Sequence, residues 1–278
     1  MLASSSSPSQ AAPVGTLLRE WRQRRHWSQF ELADEAGLST RHLSCLETGR
    51  ALPSRQMLLR LTERLQVPLR ERNRLFTAAG YAPMYAERAL GDPALQAAHD
   101  AVQRVLQAHE PYPALAVDRH WQLLSANRAI APLLAGVAPE LLASPVNVLR
   151  LSLHPGGLAP RIANLPAWRS HLLARLAQQI QASGDPVLAA LADELRAYPC
   201  PADDEPHAAP GIAVPLQLNT PAGLLSFIST TTVFGTPVDI TLSELAIEAF
   251  FPADAQTAQA LQALMAAETP PTPGTTTR

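Results

Sequence analysis

Residues 37–50 read GLSTRHLSCLETGR, and their polar side chains are of the types that read a nucleic-acid duplex. On a short helix starting after Ser39, the residues Thr40, Arg41, Ser44 and Cys45 share the face turned away from Leu43 and Leu46. A guanidinium on such a face can donate two bonds to guanine O6 and N7, worth about 1–3 kcal/mol of discrimination. Arg41 is therefore the sharpest candidate for a base contact, with Thr40, Ser44 and Cys45 beside it. Two groups suited to phosphate flank this face: Gln29, at the start of the preceding helix, and Arg50, just past the reading helix. Cys45 reads as a small groove-facing residue rather than a redox switch.

Positioning those groups takes a compact helical scaffold. From Val14, apolar residues recur at helical spacing (Val14, Leu17, Leu18, Trp21) to about His26. Ser28 and Glu31 form a capping box that opens a second helix, whose buried side is expected to be Phe30, Leu32, Ala33 and Ala36 before Gly37 ends it. Ser39 caps the third helix and Gly49 closes it. Pro53 and Ser54 open a fourth, with Met57, Leu58, Leu61 and Leu65 inward; Pro68 opens a fifth, carrying Leu69, Leu75 and Phe76 to Gly80. Two helices joined by Gly-Leu-Ser, the second short and polar outward, have the layout of a helix-turn-helix.

The charge distribution agrees with a polyanion partner for this part alone. Residues 14–80 carry net +5 and residues 81–278 net −7, and every basic side chain is Arg. A length of 278 residues, 47 % of them hydrophobic, supplies a core for each of two domains. No apolar run reaches the ~18–20 residues of a membrane span. The stretch MLASSSSPSQAAP has neither the basic cluster nor the apolar core of a signal peptide, so a cytoplasmic location is expected. Cys45 and Cys200 stand alone, and neither a disulfide framework nor a metal site is expected.

The string SQFELADEAGLSTRHLSCLETGRALPS resembles the Cro/repressor-type (XRE) helix-turn-helix family, and the resemblance covers about residues 14–79. It implies a five-helix, lambda-repressor-like all-α domain in which Gln29 and Arg50 hold phosphates and Thr40, Arg41, Ser44 and Cys45 face bases. It also implies a structural ion pair between Arg22 on the first helix and Glu47 at the end of the third.

Beyond Gly80 the sequence GYAPMYAERALGDP is punctuated by Gly and Pro, and residues 81–92 read as a linker. A helix over about 94–109 is followed by a hairpin with Leu115 and Val117 on one strand and Trp121 and Leu123 on the other. Asn127 is placed to cap a short helix, and residues 147–198 are helical again. CPADDEPHAAPG (200–211) reads as a polar loop. Val214, Leu216 and Leu218 alternate, NTPAG turns the chain, and Leu225, Phe227, Ser229 and Thr231 alternate on the return. A last strand is expected to carry Leu245, Ile247, Ala249 and Phe251 on one side and Glu244, Ala246 and Glu248 on the other, before a closing helix over about 255–267. The composition is that of an α+β domain over residues 93–267, with disordered tails at 1–13 and 268–278.

No HExxH, GxSxG, P-loop or GxGxxG occurs, so no catalytic residue and no cofactor is assigned. HPGG (154–157) lacks the strand-to-helix setting of a phosphate loop, and DDE (203–205) reads as a solvated acidic loop rather than a cation site. The strings PALAVDRHWQLLSANRA, NVLRLSLHPGGLAPRIANLPAW and TTVFGTPVDITLSELAIEAFFPAD resemble the MmyB-like ligand-binding domain over about 93–265. The resemblance implies a PAS-like fold, a five-stranded antiparallel sheet with inserted helices, and a sensor role with a small apolar or fatty-acid-like effector. Arg150, His154 and Arg161 are the candidates for a polar head, with Leu149, Leu153, Trp168, Leu172 and Phe227 for the apolar part; packing or helix capping is the alternative role of each.

Together these readings describe a DNA-binding transcriptional regulator, a homodimer on its operator, with no membrane association and no enzymatic activity. Two other readings stay open: a C-terminal domain that modifies a small molecule, and a filled C-terminal domain that serves only for dimerisation.

Overall fold

The computed structural model describes residues 13–201 and 214–268. The chain divides into two compact units, one built on residues up to Glu87 and one on those from Arg88 onward, with Gln181–Ser183 and Val238–Ile240 grouped with the first. The expected tails and the loop at 200–211, including DDE, lie wholly or almost wholly outside the described residues.

The first unit contains five helices: α1 Val14–Arg24, α2 Gln29–Glu35, α3 Thr40–Glu47, α4 Arg55–Arg64 and α5 Leu69–Ala78. Side chains cap three of them. Ser28 Oγ accepts from the Glu31 amide at 3.1 Å while the Glu31 carboxylate accepts from the Ser28 amide at 2.6 Å, and Ser39 and Ser54 each accept from the amide three residues on, at 3.2 Å. Leu18, Leu32, Leu43, Leu46, Leu58 and Phe76 are fully buried in one core. α1 meets α3 backbone to backbone at Gly15, where a Cβ would lie 2.3 Å from the Leu46 carbonyl oxygen. Phe30 departs from expectation. It is 69 % exposed, because it lies about 110° around the helix from the centre of the stripe formed by Leu32, Ala33 and Ala36. Residues at the start of the expected linker are held on α5: Asn73 Oδ1 accepts from the Met84 and Tyr85 amides, and its Nδ2 donates to the Tyr85 carbonyl.

The second unit is a five-stranded antiparallel sheet in the order β2-β1-β5-β4-β3. The strands are β1 Ala114–Val117, β2 Leu123–Ala126, β3 Leu216–Thr220, β4 Gly223–Val233 and β5 Ala246–Pro252. Period-two alternation sends β1 to two cores. Ala114 and Ala116 pack with Val102 and Leu106 of α6, Gln96–Ala108. Leu115 and Val117 face the larger core, to which α7 Val148–Leu153, α8 Leu165–Ser183, α9 Pro186–Ala197 and α11 Ala255–Glu268 contribute; the single turn α10 covers Ile240–Ser243. Asn127 caps nothing with its side chain. Instead its Oδ1 accepts from the Ala114 amide, and its Nδ2 donates to the Leu106 and Tyr112 carbonyls, satisfying backbone groups where helix and strand meet.

β5 has the expected two sides, and both are covered. Leu245, Ile247 and Ala249 pack under α6, Phe251 is 41 % exposed, and the opposite face, with Ala246, Glu248 and Phe250, turns into the larger core. A central strand covered on both sides reads as a nearly continuous apolar run, AIEAFF, and hides its one buried carboxylate.

Candidate nucleic-acid interface and ligand cavity

In the first unit, Arg22 Nε and Nη2 donate to the two oxygens of Glu47 at 2.6 and 2.8 Å, and Nη1 donates to the Trp27 carbonyl at 2.8 Å. Gln29 Nε2 adds a third donor to the carboxylate, at 2.8 Å from Oε2. The Glu47 side chain is 1 % exposed and that of Arg22 10 %, and bonding to Glu47 raises the Arg22 pKa. This cluster ties α1 and the start of α2 to the last turn of α3. Gln29 thus has part of its donor capacity engaged by protein. The reading face of α3 is set by what its other side buries: with Leu43, Leu46 and Glu47 inward, Thr40 and Arg41 are exposed and Ser44 and Cys45 half-buried. Arg41 makes no hydrogen bond or ion pair among the described residues. His42 is exposed beside it, an addition to the sequence-derived set. Past the helix, the exposed Arg50 donates from Nε to Thr48 Oγ1 at 3.2 Å, and the Cys45 carbonyl accepts from the amides of Arg50 and Ala51. The Cys45 thiol is free.

In the second unit an apolar cavity of about 100 Å³ lies between sheet and helices. That is room for about seven to ten water-sized positions. Of the candidates for the apolar part, Leu149, Trp168, Leu172 and Phe227 line it; Leu153 is buried in the same core without reaching the cavity. The three polar-head candidates do not line it. Arg150 forks onto Glu194 with two bonds of 2.7 Å, an interaction that raises the arginine pKa and lowers the glutamate one. Tyr198 donates to the same carboxylate, and its pKa is pushed up to about 12 by burial and by that bond. His154 Nδ1 accepts from the Gly156 amide at 3.0 Å, and its ring meets the Tyr198 ring edge-on. Arg161 donates to the Leu133 carbonyl. The HPGG turn is tight: the Gly157 amide donates to the His154 carbonyl, and a Cβ at Gly157 would sit 2.2 Å from the Leu151 carbonyl oxygen. It folds the chain back on α7 and forms no phosphate cradle.

The charged groups on the cavity wall are Arg175 from α8 and Glu248 from β5. Arg175 Nη1 donates to Glu248 Oε2 at 2.9 Å and Nη2 to Oε1, while Thr231 Oγ1 donates to Oε1 at 2.9 Å. The guanidinium lies 4.7 Å from the centroid of Trp121. Trp121 is buried with a left-handed backbone, φ 65°, rare for a bulky residue, and its Nε1 donates to Gln179 Oε1 at 2.8 Å. Ser152, also on the wall, accepts from Trp168 Nε1 at 3.0 Å.

The MmyB-like transcription regulator ligand binding domain matches residues 98–264, more than half of the chain. The chain belongs to this family. In this MmyB-like regulator a helix-turn-helix domain matches residues 13–75, the span of the Arg22–Glu47–Gln29 cluster and of α3. The ImmF control region 10 kDa protein of Bacillus phage phi105 is 40 % identical over 48 residues, which are 17 % of this chain. The chain spans about half of that relative, 53 % of its length. The crystal structure of the clp gene regulator ClgR from Corynebacterium glutamicum is similar at 28 % identity, covering 35 % of this chain and 90 % of that one with a TM-score of 0.22. Among the described residues no helix is long and apolar enough to cross a membrane, and no group of three or more His, Cys, Asp or Glu is arranged to hold a metal ion.

Proposed function

We propose that this regulator binds a specific DNA operator through α3 and that its second unit holds a small effector that is apolar or fatty-acid-like. The observation that carries the first half is the exposed Arg41 on a helix whose opposite side is pinned by Arg22, Glu47 and Gln29. A reading helix must be rigid behind and unencumbered in front, since base discrimination needs a fixed approach to the major groove. Thr40, Ser44 and Cys45 extend the base-reading face, and Arg50 and Gln29 are the phosphate contacts, Gln29 with the hydrogen that Glu47 leaves over. One eight-residue helix reads few bases, so the operator is read by a homodimer whose half-sites lie about 34 Å apart. The second half rests on the cavity and its apolar lining. The role proposed there is binding rather than turnover: on the wall Arg175 is engaged by Glu248 and Ser152 by Trp168, which leaves the hydroxyl of Ser229 as the remaining polar side chain. Such a protein works in the cytoplasm, on the nucleoid.

Selection of bound duplexes from a random pool, with and without extract of the producing cells, tests both halves. A two-fold-symmetric motif whose enrichment changes with extract is the expected result. Recovery of no motif under either condition would refute the operator reading.

A further inference from the structure

We infer that the cavity takes a neutral amphiphile, an alkyl chain ending in a hydroxyl, and that Glu248 sets this preference over a carboxylate. The inference rests on the cavity being the effector site. Its polar end already holds a closed charge pair: the side chains of Arg175 and Glu248 are 22 % and 4 % exposed, joined by a two-pronged contact, with Thr231 as a further donor to the carboxylate. The rest of the wall is apolar apart from the hydroxyls of Ser152 and Ser229, with Trp121 beneath the guanidinium. A carboxylate entering here would be a second anion on one guanidinium, stripped of water and without a counter-charge of its own. A hydroxyl brings no net charge. Its oxygen can accept from a guanidinium N–H outside the fork, and its hydrogen can go to Glu248 Oε2, which accepts from Arg175 Nη1 alone among the described residues. The cavity is of a size for a short alkyl chain.

Matched probes of this size are 1-octanol and octanoate, titrated into the full-length chain at neutral pH by calorimetry and by tryptophan fluorescence, with Trp121 and Trp168 as reporters on the cavity. Octanol is expected to bind about tenfold or more tighter than octanoate. Glu248→Gln leaves the Arg175 charge unbalanced and is expected to reverse the order. The double variant Arg175→Gln/Glu248→Gln, which removes both charges, is expected to restore the preference for octanol. Equal or tighter binding of octanoate by the unmodified chain overturns the inference while leaving the cavity as effector site, and this comparison decides even if a variant fails to fold. Binding of neither probe, or binding unaffected by a Leu172→Trp substitution that fills the cavity, overturns the effector-site reading and the inference with it.

Discussion

Replacing Glu47 with alanine should unfold the helix-turn-helix unit at a far lower temperature while sparing the second unit. Three donors converge on the Glu47 carboxylate, two from Arg22 and one from Gln29, at 2.6 to 2.8 Å. After the substitution Arg22, itself 8 % exposed, keeps only the Trp27 carbonyl as an acceptor. Removing one partner of a buried pair costs about 3–5 kcal/mol, a large part of the ~5–15 kcal/mol that holds a domain. For a unit of this size each kcal/mol moves the midpoint by ~4–8 °C, so the fall should be at least about 12 °C. Differential scanning calorimetry of the full chain reads this as one transition displaced and one unmoved. Replacing both ends, Arg22→Met with Glu47→Leu, should recover most of the loss, because no buried charge is then left alone. A shift of less than about 4 °C, the worth of ~1 kcal/mol, would show that solvent screens the pair and would refute the argument.

Arg41→Ala should relax the preference at one base position per half-site, whereas Arg50→Ala should weaken all sequences alike and lower the slope of log affinity against log salt by about 1–2 for a dimer; equal losses on every duplex for both variants in a binding titration would contradict the assigned roles. Gly15→Ala forces a Cβ into the Leu46 carbonyl at 2.3 Å and should destabilise the first unit by about 1–3 kcal/mol in urea denaturation. His171 stacks on Trp168, and burial, followed by the charge of Arg175, holds its pKa below the ordinary value. Its folded pKa is thus below its unfolded one, near 6.5, and the unfolded chain binds the extra proton. Its contribution is whole above about pH 6.5 and is lost as the pH falls toward the folded value. The urea midpoint of the second unit should therefore drop between about pH 7.5 and 5.5, less so in His171→Gln; identical drops in both proteins would assign the effect elsewhere.

Where the chain announces itself locally, the sequence reading held. Ser28 with Glu31, Ser39, Ser54, Gly37 and Gly49 mark the ends of α2, α3 and α4 through backbone chemistry that needs no distant partner. The hairpin of β3 and β4 follows equally from alternation and a Thr-Pro-Ala-Gly turn. The polar end of the cavity was not legible in this way, because Arg175 and Glu248 stand 73 residues apart and meet only after the sheet has closed. A signal existed in α8: Arg175 lies among Trp168, Leu172 and Leu176 on the apolar stripe, where an unpaired arginine is too costly to be left. Arg150, His154 and Arg161, the candidates that followed from the family resemblance, are each engaged by a neighbour outside the cavity.

The registration of β5 carries a consequence for how this sheet finds its native pairing. Because adjacent residues of that strand serve opposite layers, sliding it by a single position would drive the Glu248 carboxylate beneath Val102 and Leu106 and bring Ile247 against the guanidinium it leaves behind. Misalignment thus strands two opposite ions in separate hydrocarbon layers at once, so one acidic side chain polices the alignment of this central strand against both of its neighbours.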